Sequence, residues 1–254
     1  MKNLIALYIV LCSSFFASAQ QSESVFSDDE FIEFKISYMA FNTSTATLRT
    51  KKEMLNGKPV YHIIGLGKSS RFLSLFFKIR DQYETYIDTE TYVPYRFVRN
   101  INEGGYKKNR IIDFDQENHK AKVHDKKRNT KKTYDVVPGV HDMMSSFYYL
   151  RNKINPDSLK VGDEKSLTMF FDDENYKFKL RFLGKETIRT KYGKKDCLKF
   201  RPIVVADRVF KEEESLTVWV SNDKNRIPVR ISADLAVGSL TANISDYSGL
   251  KHPF

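Results

Sequence analysis

The chain has 254 residues, of which 41% are hydrophobic, 13% aromatic and 29% charged, and its formal net charge is +10. This balance is typical of a globular protein with a packed core, and the absence of repeats and low-complexity tracts excludes a disordered or repetitive chain. No apolar stretch of the sequence is long enough to span a membrane as a stable helix.

The amino terminus has the pattern of a cleavable export signal. The apolar run from Leu4 to Phe16 follows a lysine and is too short for a stable membrane-spanning helix. Ala17 and Ala19 are the small residues that a signal peptidase needs before its cut. We therefore predict a signal peptide over residues 1–19, cleavage between Ala19 and Gln20, and export to the periplasm.

The mature chain is predicted to have a flexible segment over residues 20–30 and one β-rich domain over residues 31–254. Two subdomains that meet near residues 155–162 are the alternative. Cys12 leaves with the signal peptide, so Cys197 stands alone and no intrachain disulfide can form. The stability of the domain must therefore come from packing.

Alternation of apolar and polar residues dominates the mature chain. Ile32, Phe34 and Ile36 lie on one side of an extended segment, and Glu33 and Lys35 lie on the other. Because successive side chains of a strand point to opposite faces, this pattern predicts a sheet with one buried and one solvated face. Turn-forming residues separate many of the strands, which predicts an antiparallel meander. The predicted strands cover residues 32–40, 43–50, 59–66, 81–88, 92–101, 109–115, 120–125, 131–137, 166–171, 176–182, 186–190, 196–205, 216–220, 227–233 and 238–246.

Two segments break the alternation and are predicted as short helices. Ser69–Ile79 carries apolar residues on more than one side, so we expect it to be buried, to cover an apolar hollow or to meet a partner. His141–Asn152 has helical spacing, with Asp142 suited to cap its start. Near its end, Arg151 can bond the last carbonyls or pair with an acid such as Asp81. The predicted fold is mainly β: a single curved antiparallel sheet or half-open barrel with two short helices covering its concave face.

No catalytic or metal-binding signature stands out. The Gly-x-Ser-x-Gly motif of serine hydrolases is absent, and no pair of histidines or cluster of carboxylates has a specific metal-ligand spacing. The acidic runs 172–174 and 212–214 fall in predicted turns and are interpreted as solvated loop charge. We therefore predict no enzyme activity, no cofactor and no metal ion. The string Asp157-Ser158-Leu159 fits a short O-glycosylation motif of exported proteins, which leaves modification of Ser158 open.

Positive charge is concentrated in one predicted hairpin, which covers residues 120–132. For an exported protein the expected acidic partners are phospholipid head groups, lipopolysaccharide phosphates and acidic glycans rather than nucleic acid. The hairpin tip is a candidate for contact with an anionic membrane surface or polymer, and edge lysines that keep a hairpin soluble explain the same residues equally well. The candidate contact residues are Lys126, Lys127, Arg128, Lys131 and Lys132.

A set of short strings spans nearly the whole mature chain. They are DQYETYID at 81–88, YVPYRF at 92–97, NEGGY at 102–106, HDMMSSFYYLR at 141–151, TVWVSND at 217–223, RIPVR at 226–230 and GSL at 238–240. Together they resemble the exported bacterial domain-of-unknown-function family 3108. The resemblance implies a fold similar to the half-open antiparallel barrels of periplasmic lipoprotein carriers and receptors, and it implies no activity.

The sequence favours a non-enzymatic periplasmic protein that binds or carries an amphipathic ligand, such as a lipid or a lipoprotein, on an apolar face. The alternative is a cell-envelope scaffold, or a module that binds glycans or anionic polymers through its basic residues. Either function implies no nucleic-acid partner and at most peripheral contact with a membrane. The candidate residues of the apolar face are Phe72, Leu75, Phe76, Met143, Phe147 and Trp219.

Overall fold

The computed structural model describes residues 24–39, 41–205 and 216–254. The predicted signal peptide, its cleavage site and the acidic run at 212–214 lie outside the described residues. No helix among the described residues is long and apolar enough to cross a membrane.

The mainly β, antiparallel fold that the alternation predicts is confirmed. One α-helix, α1, covers Met143–Lys153, and short 3-10 turns cover Leu73–Leu75 and Pro156–Ser158. The strands in the described residues are β1 (Phe31–Tyr38), β2 (Phe41–Leu55), β3 (Lys58–Ser69), β4 (Arg80–Asp88), β5 (Pro94–Glu103), β6 (Tyr106–Asp115), β7 (Lys120–Asp125), β8 (Thr130–Asp135), β9 (Glu164–Phe171), β10 (Glu174–Thr190), β11 (Gly193–Val205), β12 (Leu216–Ser221), β13 (Pro228–Asp234) and β14 (Ser239–Ser248).

The described strands form a single sheet in the order β8-β7-β6-β5-β4-β3-β2-β1-β14-β13-β12-β11-β10-β9. The first eight strands are one meander, the last six are another, and the antiparallel pairing of β1 with β14 joins them. The sheet is not closed, because its edge strands β8 and β9 do not pair. It is strongly curved, since the Asn175 side-chain amide after β9 donates to the carbonyl of Asp135 in β8 at 3.0 Å.

Antiparallel pairing places the connections alternately at the two ends of the sheet. The β1–β2, β3–β4, β5–β6, β7–β8, β9–β10 and β13–β14 connections lie at one end, which we call the upper end. We call the opposite end the lower end. It contains the β12–β13 connection, residues 24–30, the last residues of the chain and the carboxyl end of α1.

The prediction of a helix over 69–79 is wrong, because this segment contains only the short 3-10 turn Leu73–Leu75. Among the described residues, α1 is the one helix that is longer than a single turn. The hydroxyl of Ser70 accepts a bond from the amide of Leu73 at 3.2 Å, and the hydroxyl of Ser69 accepts one from the amide of Ile79 at 3.0 Å. The hydroxyl of Ser74 donates to the carbonyl of Ser70 at 2.7 Å. Serine side chains therefore compete with the helical bonds that the backbone of this segment could make.

Helix α1 lies on the concave side of the sheet, where it is fixed by its first turn. The buried carboxylate of Asp142 accepts bonds from the amides of Met144 and Ser145 at 2.7 and 2.9 Å and from the hydroxyl of Thr85 in β4 at 2.6 Å. Gly65 in β3 allows this close approach, because a Cβ atom there would lie 3.3 Å from the terminal methyl of Met144. The predicted capping role of Asp142 is confirmed.

At the lower end, α1 is held by a buried ion pair. The Nη1 and Nη2 atoms of Arg151 donate to the two carboxylate oxygens of Glu30 at 2.6 and 2.7 Å, and its Nε atom donates to the carbonyl of Asn225 at 2.7 Å. The predicted option that Arg151 pairs with Asp81 is wrong. Asp81 lies at the upper end of β4, far from the end of the helix, and accepts a bond from the amide of Asn102.

Residues 24–30, the described part of the segment predicted to be flexible over 20–30, pack against the domain. Phe26 and Glu30 are both 1% exposed. The ring of Phe26 packs edge-on against Tyr148 in α1, with 5.0 Å between the ring centroids. The amide of Val25 donates to the side chain of Asn152 at 3.0 Å. This segment is therefore part of the core that positions the helix.

Substitution of Arg151 by Met is expected to lower the free energy of unfolding by about 3–5 kcal/mol, because the carboxylate of Glu30 stays buried without a partner. Glu30→Gln/Arg151→Met is expected to cost less than the sum of the single changes, since no charge remains buried alone. Urea denaturation measures the difference.

The matched control is Arg181→Met, which removes an exposed ion pair with Glu164. Such pairs contribute about 0–1 kcal/mol because water screens them. A loss at Arg151 no larger than the loss at Arg181 contradicts the structural role of the buried pair.

Candidate functional site

A cavity of about 760 Å³ lies on the concave side, between α1 and strands β9 to β13. Its walls are mostly aliphatic and aromatic. The lining residues are Phe34, Leu48, Met143, Met144, Ser146, Phe147, Tyr148, Leu150, Arg151, Ile154, Met169, Phe171, Asp172, Tyr176, Phe178, Leu180, Leu198, Phe200, Pro202, Val204, Leu216, Val218, Val220, Arg226, Pro228 and Ile231.

Strand periodicity explains this wall. Every second residue of β10 from 176 to 180, of β11 from 198 to 204 and of β12 from 216 to 220 faces the cavity. The residues between them point to the opposite face of the sheet, where Lys179 and Arg181 contact Glu164. The alternation that predicts the strands therefore also decides which side chains line the cavity.

The cavity is closed toward the lower end and more accessible toward the upper end. Leu198 in β11 and Val220 in β12, which lie near the lower end, are buried. Val204 and Leu216, which lie on the same strands near the upper end, are partly exposed. Met143 at the start of α1 is 41% exposed. The described cavity wall is therefore more exposed toward the upper end of the sheet.

Three charged residues line the cavity, and two of them have oppositely charged partners. Arg151 pairs with Glu30, as described above. Asp172 in the β9–β10 turn pairs with Lys108 and accepts a bond from the Nη1 atom of Arg99 at 2.7 Å. Burial raises the pKa of Asp172, but the bonds from Lys108 and Arg99 outweigh burial and hold this pKa below its usual value.

The third charged residue, Arg226, forms no ion pair with the described residues. Its Nη1 atom donates to the carbonyls of Arg151 and Asn152 at the end of α1, at 3.1 and 3.4 Å, and its buried Nε atom has no hydrogen-bond partner. Burial lowers the pKa of Arg226 and the positive charge of Arg151 lowers it further, and together they outweigh the negative charges of Asp223 and Asp157, which raise it. An anion beside this guanidinium would offset both effects.

The β9–β10 turn clamps the two meanders together at the upper end. Besides the bonds to Asp172, the guanidinium of Arg110 in β6 donates to both carboxylate oxygens of Asp173, at 3.0 and 3.3 Å. The ring of Phe171 lies under the guanidinium of Arg99, whose Cζ atom is 4.2 Å from the ring centroid. These contacts hold the end of edge strand β9 against β5 and β6 without strand pairing, and they support the wall of the cavity.

The six residues predicted for an apolar face are separated by the structure. Met143 and Phe147 in α1 line the cavity. Phe72, Leu75 and Phe76 lie in the β3–β4 connection, outside the cavity wall, and each is at least 75% exposed.

The placement of Trp219 on the apolar face is corrected by the structure. Trp219 alternates with Val218 and Val220 and therefore points away from the cavity, where its Nε1 atom donates to the carboxylate of Glu186 at 3.1 Å. Arg226 lines the cavity although no local pattern in the sequence relates it to α1. The lining residues of β10 to β12 are not among the six predicted residues, although their alternation is visible in the sequence.

The five basic residues predicted for anionic contact lie in or beside the β7–β8 turn, and all are exposed. The Nζ atom of Lys127 donates to the carbonyl of Lys107 at 3.1 Å. Asp125 holds the turn by accepting a bond from the amide of Arg128 at 3.0 Å. The turn lies near the upper end of the sheet, outside the cavity.

The start of α1 contains two buried titratable neighbours. Burial lowers the pKa of His141 to about 4 and raises the pKa of Asp142 to about 6, although hydrogen bonds from Thr85, Ser145 and Met144 oppose the shift of Asp142. No group of three or more His, Cys, Asp or Glu side chains within the described ranges could hold a metal ion. We interpret His141 and Asp142 as structural residues that fix the cavity wall.

A family model described as protein of unknown function (DUF3108) matches residues 33–245. No curated protein matches the chain. A β-barrel-like protein of domain of unknown function DUF1849 from Brucella abortus, known from a crystal structure, is similar with a TM-score of 0.57 and 11% sequence identity, over 87% of this chain and 97% of that chain. At this identity the likeness shows the fold alone.

The free energy of unfolding should depend on pH through Asp142 and His141, with opposite signs for the two residues. The folded pKa of Asp142 lies above its ordinary 3.8, so its contribution to stability is lost as the pH rises from about 4 to about 6. The folded pKa of His141 lies below its ordinary 6.5, so its contribution is gained as the pH rises from about 4 to 6.5. The two contributions largely cancel in the native protein.

Asp142→Asn keeps a side chain that can cap the helix. It removes the contribution of Asp142 to stability, which decreases as the pH rises. The free energy of unfolding of this variant should therefore rise by up to about 3 kcal/mol between pH 4 and 6.5, more steeply than in the native protein. Urea denaturation at several pH values measures both profiles, and parallel profiles would show that Asp142 does not titrate in this range.

Proposed function

Since this chain belongs to the DUF3108 family, as its sequence strings predict, and since that family is one of unknown function, we propose a function from the cavity: the protein binds one amphipathic, acyl-chain-bearing ligand. We propose that it acts in the periplasm as a non-enzymatic carrier or receptor. The observation that carries this proposal is a cavity with apolar walls and one partly buried cation, Arg226, that forms no ion pair with the described residues.

The size and the chemistry of the cavity support an acyl chain. Its volume of about 760 Å³ lies within the range of about 300–1,000 Å³ that is usual for small-molecule sites. Each methylene group that moves from water into such a site gains about 0.8 kcal/mol. Bulky side chains from both α1 and the sheet can surround the chain along its length.

Arg226 supports an anionic group on the ligand. It is the one charged lining residue that forms no ion pair with the described residues, since Asp223 and Asp157 offset its charge only in part. It lies where α1 meets the β12–β13 connection. A carboxylate or phosphate can accept charge-assisted hydrogen bonds from a guanidinium. The ligand would then place its anionic group at the lower end and its chain along the walls toward the upper end.

The charge distribution also favours binding over catalysis. The described part of the lining contains no His, Cys or Glu, and its one carboxylate, Asp172, is already bound to Lys108 and Arg99. General acid–base catalysis requires a titratable group free to exchange a proton with a bound substrate. The alternative of an anionic-polymer binding module, based on the basic β7–β8 turn, stays a prediction.

Val218→Trp should block the cavity, because it places a large ring on the wall of β12. We expect the affinity for 11-(dansylamino)undecanoic acid, a fluorescent acyl probe, to fall by at least about ten-fold. The matched control is Thr217→Trp, which adds the same ring on the opposite face of the same strand and should leave affinity unchanged. Fluorescence titration measures both; absence of probe binding by the native protein would refute the proposal.

Arg226→Met should weaken binding of the carboxylate probe by about ten-fold, the equivalent of one charge-assisted hydrogen bond of roughly 1.4 kcal/mol. Affinity for the methyl ester of the same probe should change little, because the ester carries no charge. Equal losses for acid and ester would show that Arg226 acts only by supporting α1. Thermal unfolding of the variant checks that the fold is retained.

A further inference from the structure

Large apolar side chains are exposed around the upper end of the sheet. Phe72, Leu75 and Phe76 are 75%, 78% and 78% exposed, and Phe41 and Val237 are 75% and 70% exposed. Exposed apolar residues scattered singly are normal, but a contiguous group marks a site of contact with a protein or a membrane. We call this group the apolar border; its members are Met39, Phe41, Phe72, Leu75, Phe76, Leu235 and Val237.

Backbone bonds join the parts of the apolar border. The amide of Met39 donates to the carbonyl of Ser239 at 2.9 Å, which links the β1–β2 and β13–β14 connections. The amide of Ser70 donates to the carbonyl of Thr43 at 2.7 Å, which links residues 70–79 to β2. The border is therefore one surface that runs from the end of β13 to the start of β4.

The segment that carries the most exposed rings is held in place from both sides. The amide of Phe77 donates to the carbonyl of Leu73 at 2.7 Å, and Ile79 pairs with Glu103 as an isolated bridge. The rings of Phe72 and Phe76 contact each other edge to face, with centroids 5.7 Å apart. The backbone is thus fixed while these rings point into solvent, which favours binding because little ordering is left to do.

Exposed cations flank the apolar border. Arg71 and Lys78 lie within the same segment as the rings, and the amide of Gly104 donates to the carbonyl of Lys78 at 3.0 Å. From the β5–β6 hairpin the surface continues through Lys107 to Lys127. The exposed cations near this end include Arg71, Lys78, Lys126, Lys127, Arg128, Lys131 and Lys132.

We propose that the upper end docks onto the surface of an anionic phospholipid bilayer, with the apolar border inserted at the level of the head groups and acyl chains. Aromatic and aliphatic side chains bordered by Lys and Arg are the combination that binds such surfaces. A soluble anionic polymer accounts for the cations but leaves Phe72, Leu75 and Phe76 in water. The bilayer accounts for both.

The opposite end of the sheet has a different surface. The large exposed apolar residues toward that end within the described ranges are aliphatic, with Met54 and Val161 as the most exposed. The cavity is also more accessible at the upper end, so a docked protein presents its cavity to the lipid. Docking does not require that the cavity holds a ligand, and the two proposals can fail separately.

The experiment is flotation of the full mature chain with vesicles of phosphatidylcholine containing phosphatidylglycerol. Phe72→Ser/Leu75→Ser/Phe76→Ser should reduce the fraction bound by at least about ten-fold, since interfacial binding scales with the apolar area that is buried. The control Met54→Ser/Val161→Ser, which removes exposed apolar residues away from the border, should bind as the native protein does. Both variants should keep the thermal unfolding midpoint of the native protein, which shows that they are folded whether or not the cavity binds a ligand.

Charge is tested separately. Lys126→Glu/Lys127→Glu should weaken vesicle binding, and Lys51→Glu/Lys52→Glu, which has the same change of charge on the exposed lower part of β2, should not. Absence of native binding to the anionic vesicles overturns the proposal. Binding to both vesicles and dextran sulfate that depends on the β7–β8 cations, but not on Phe72, Leu75 and Phe76, also overturns it and identifies an anionic polymer as the partner.

Discussion

The buried ion pair between Arg151 and Glu30 is the contact on which the arrangement of the molecule depends. It joins three parts that are distant in sequence: the segment before β1, the carboxyl end of α1 and, through the carbonyl of Asn225, the β12–β13 connection. A charge buried at 1% exposure is strongly destabilising without its partner, so these parts must come together for the chain to fold. With Asp142 bound to Thr85 at its other end, the helix has one position on the concave side.

The helix divides the interior into two parts that differ in packing. On the side of β3 to β8, large residues such as Phe26, Phe97, Phe114 and Tyr148 fill the space between helix and sheet as one core cluster. On the side of β9 to β13, the side chains of α1 and the sheet leave a cavity of about 760 Å³. The same helix therefore closes a packed core on one face and forms the wall of a cavity on the other.

One path for a ligand is consistent with the cavity, with Arg226 and with the apolar border. A lipid that leaves a bilayer from its surface presents its anionic group first. In the proposed function this group would travel through the upper end to Arg226, and the acyl chain would follow along the walls of β10 to β12. The proposed docking of the upper end removes the step in which an acyl chain must cross water.

The sequence alone determined the mainly β, antiparallel class and the approximate positions of most strands, because the alternation of side chains is local and visible. It also predicted α1 and its cap, since Asp142 and the helical spacing lie within a few residues of each other. Only the tertiary structure decided that Arg151 meets Glu30, 121 residues away, that Phe72 and Phe76 face solvent, and that Trp219 points away from the cavity. Hydrophobic residues show that a segment will contact something apolar, but whether that partner is the core, a ligand or another surface depends on contacts between residues distant in the chain.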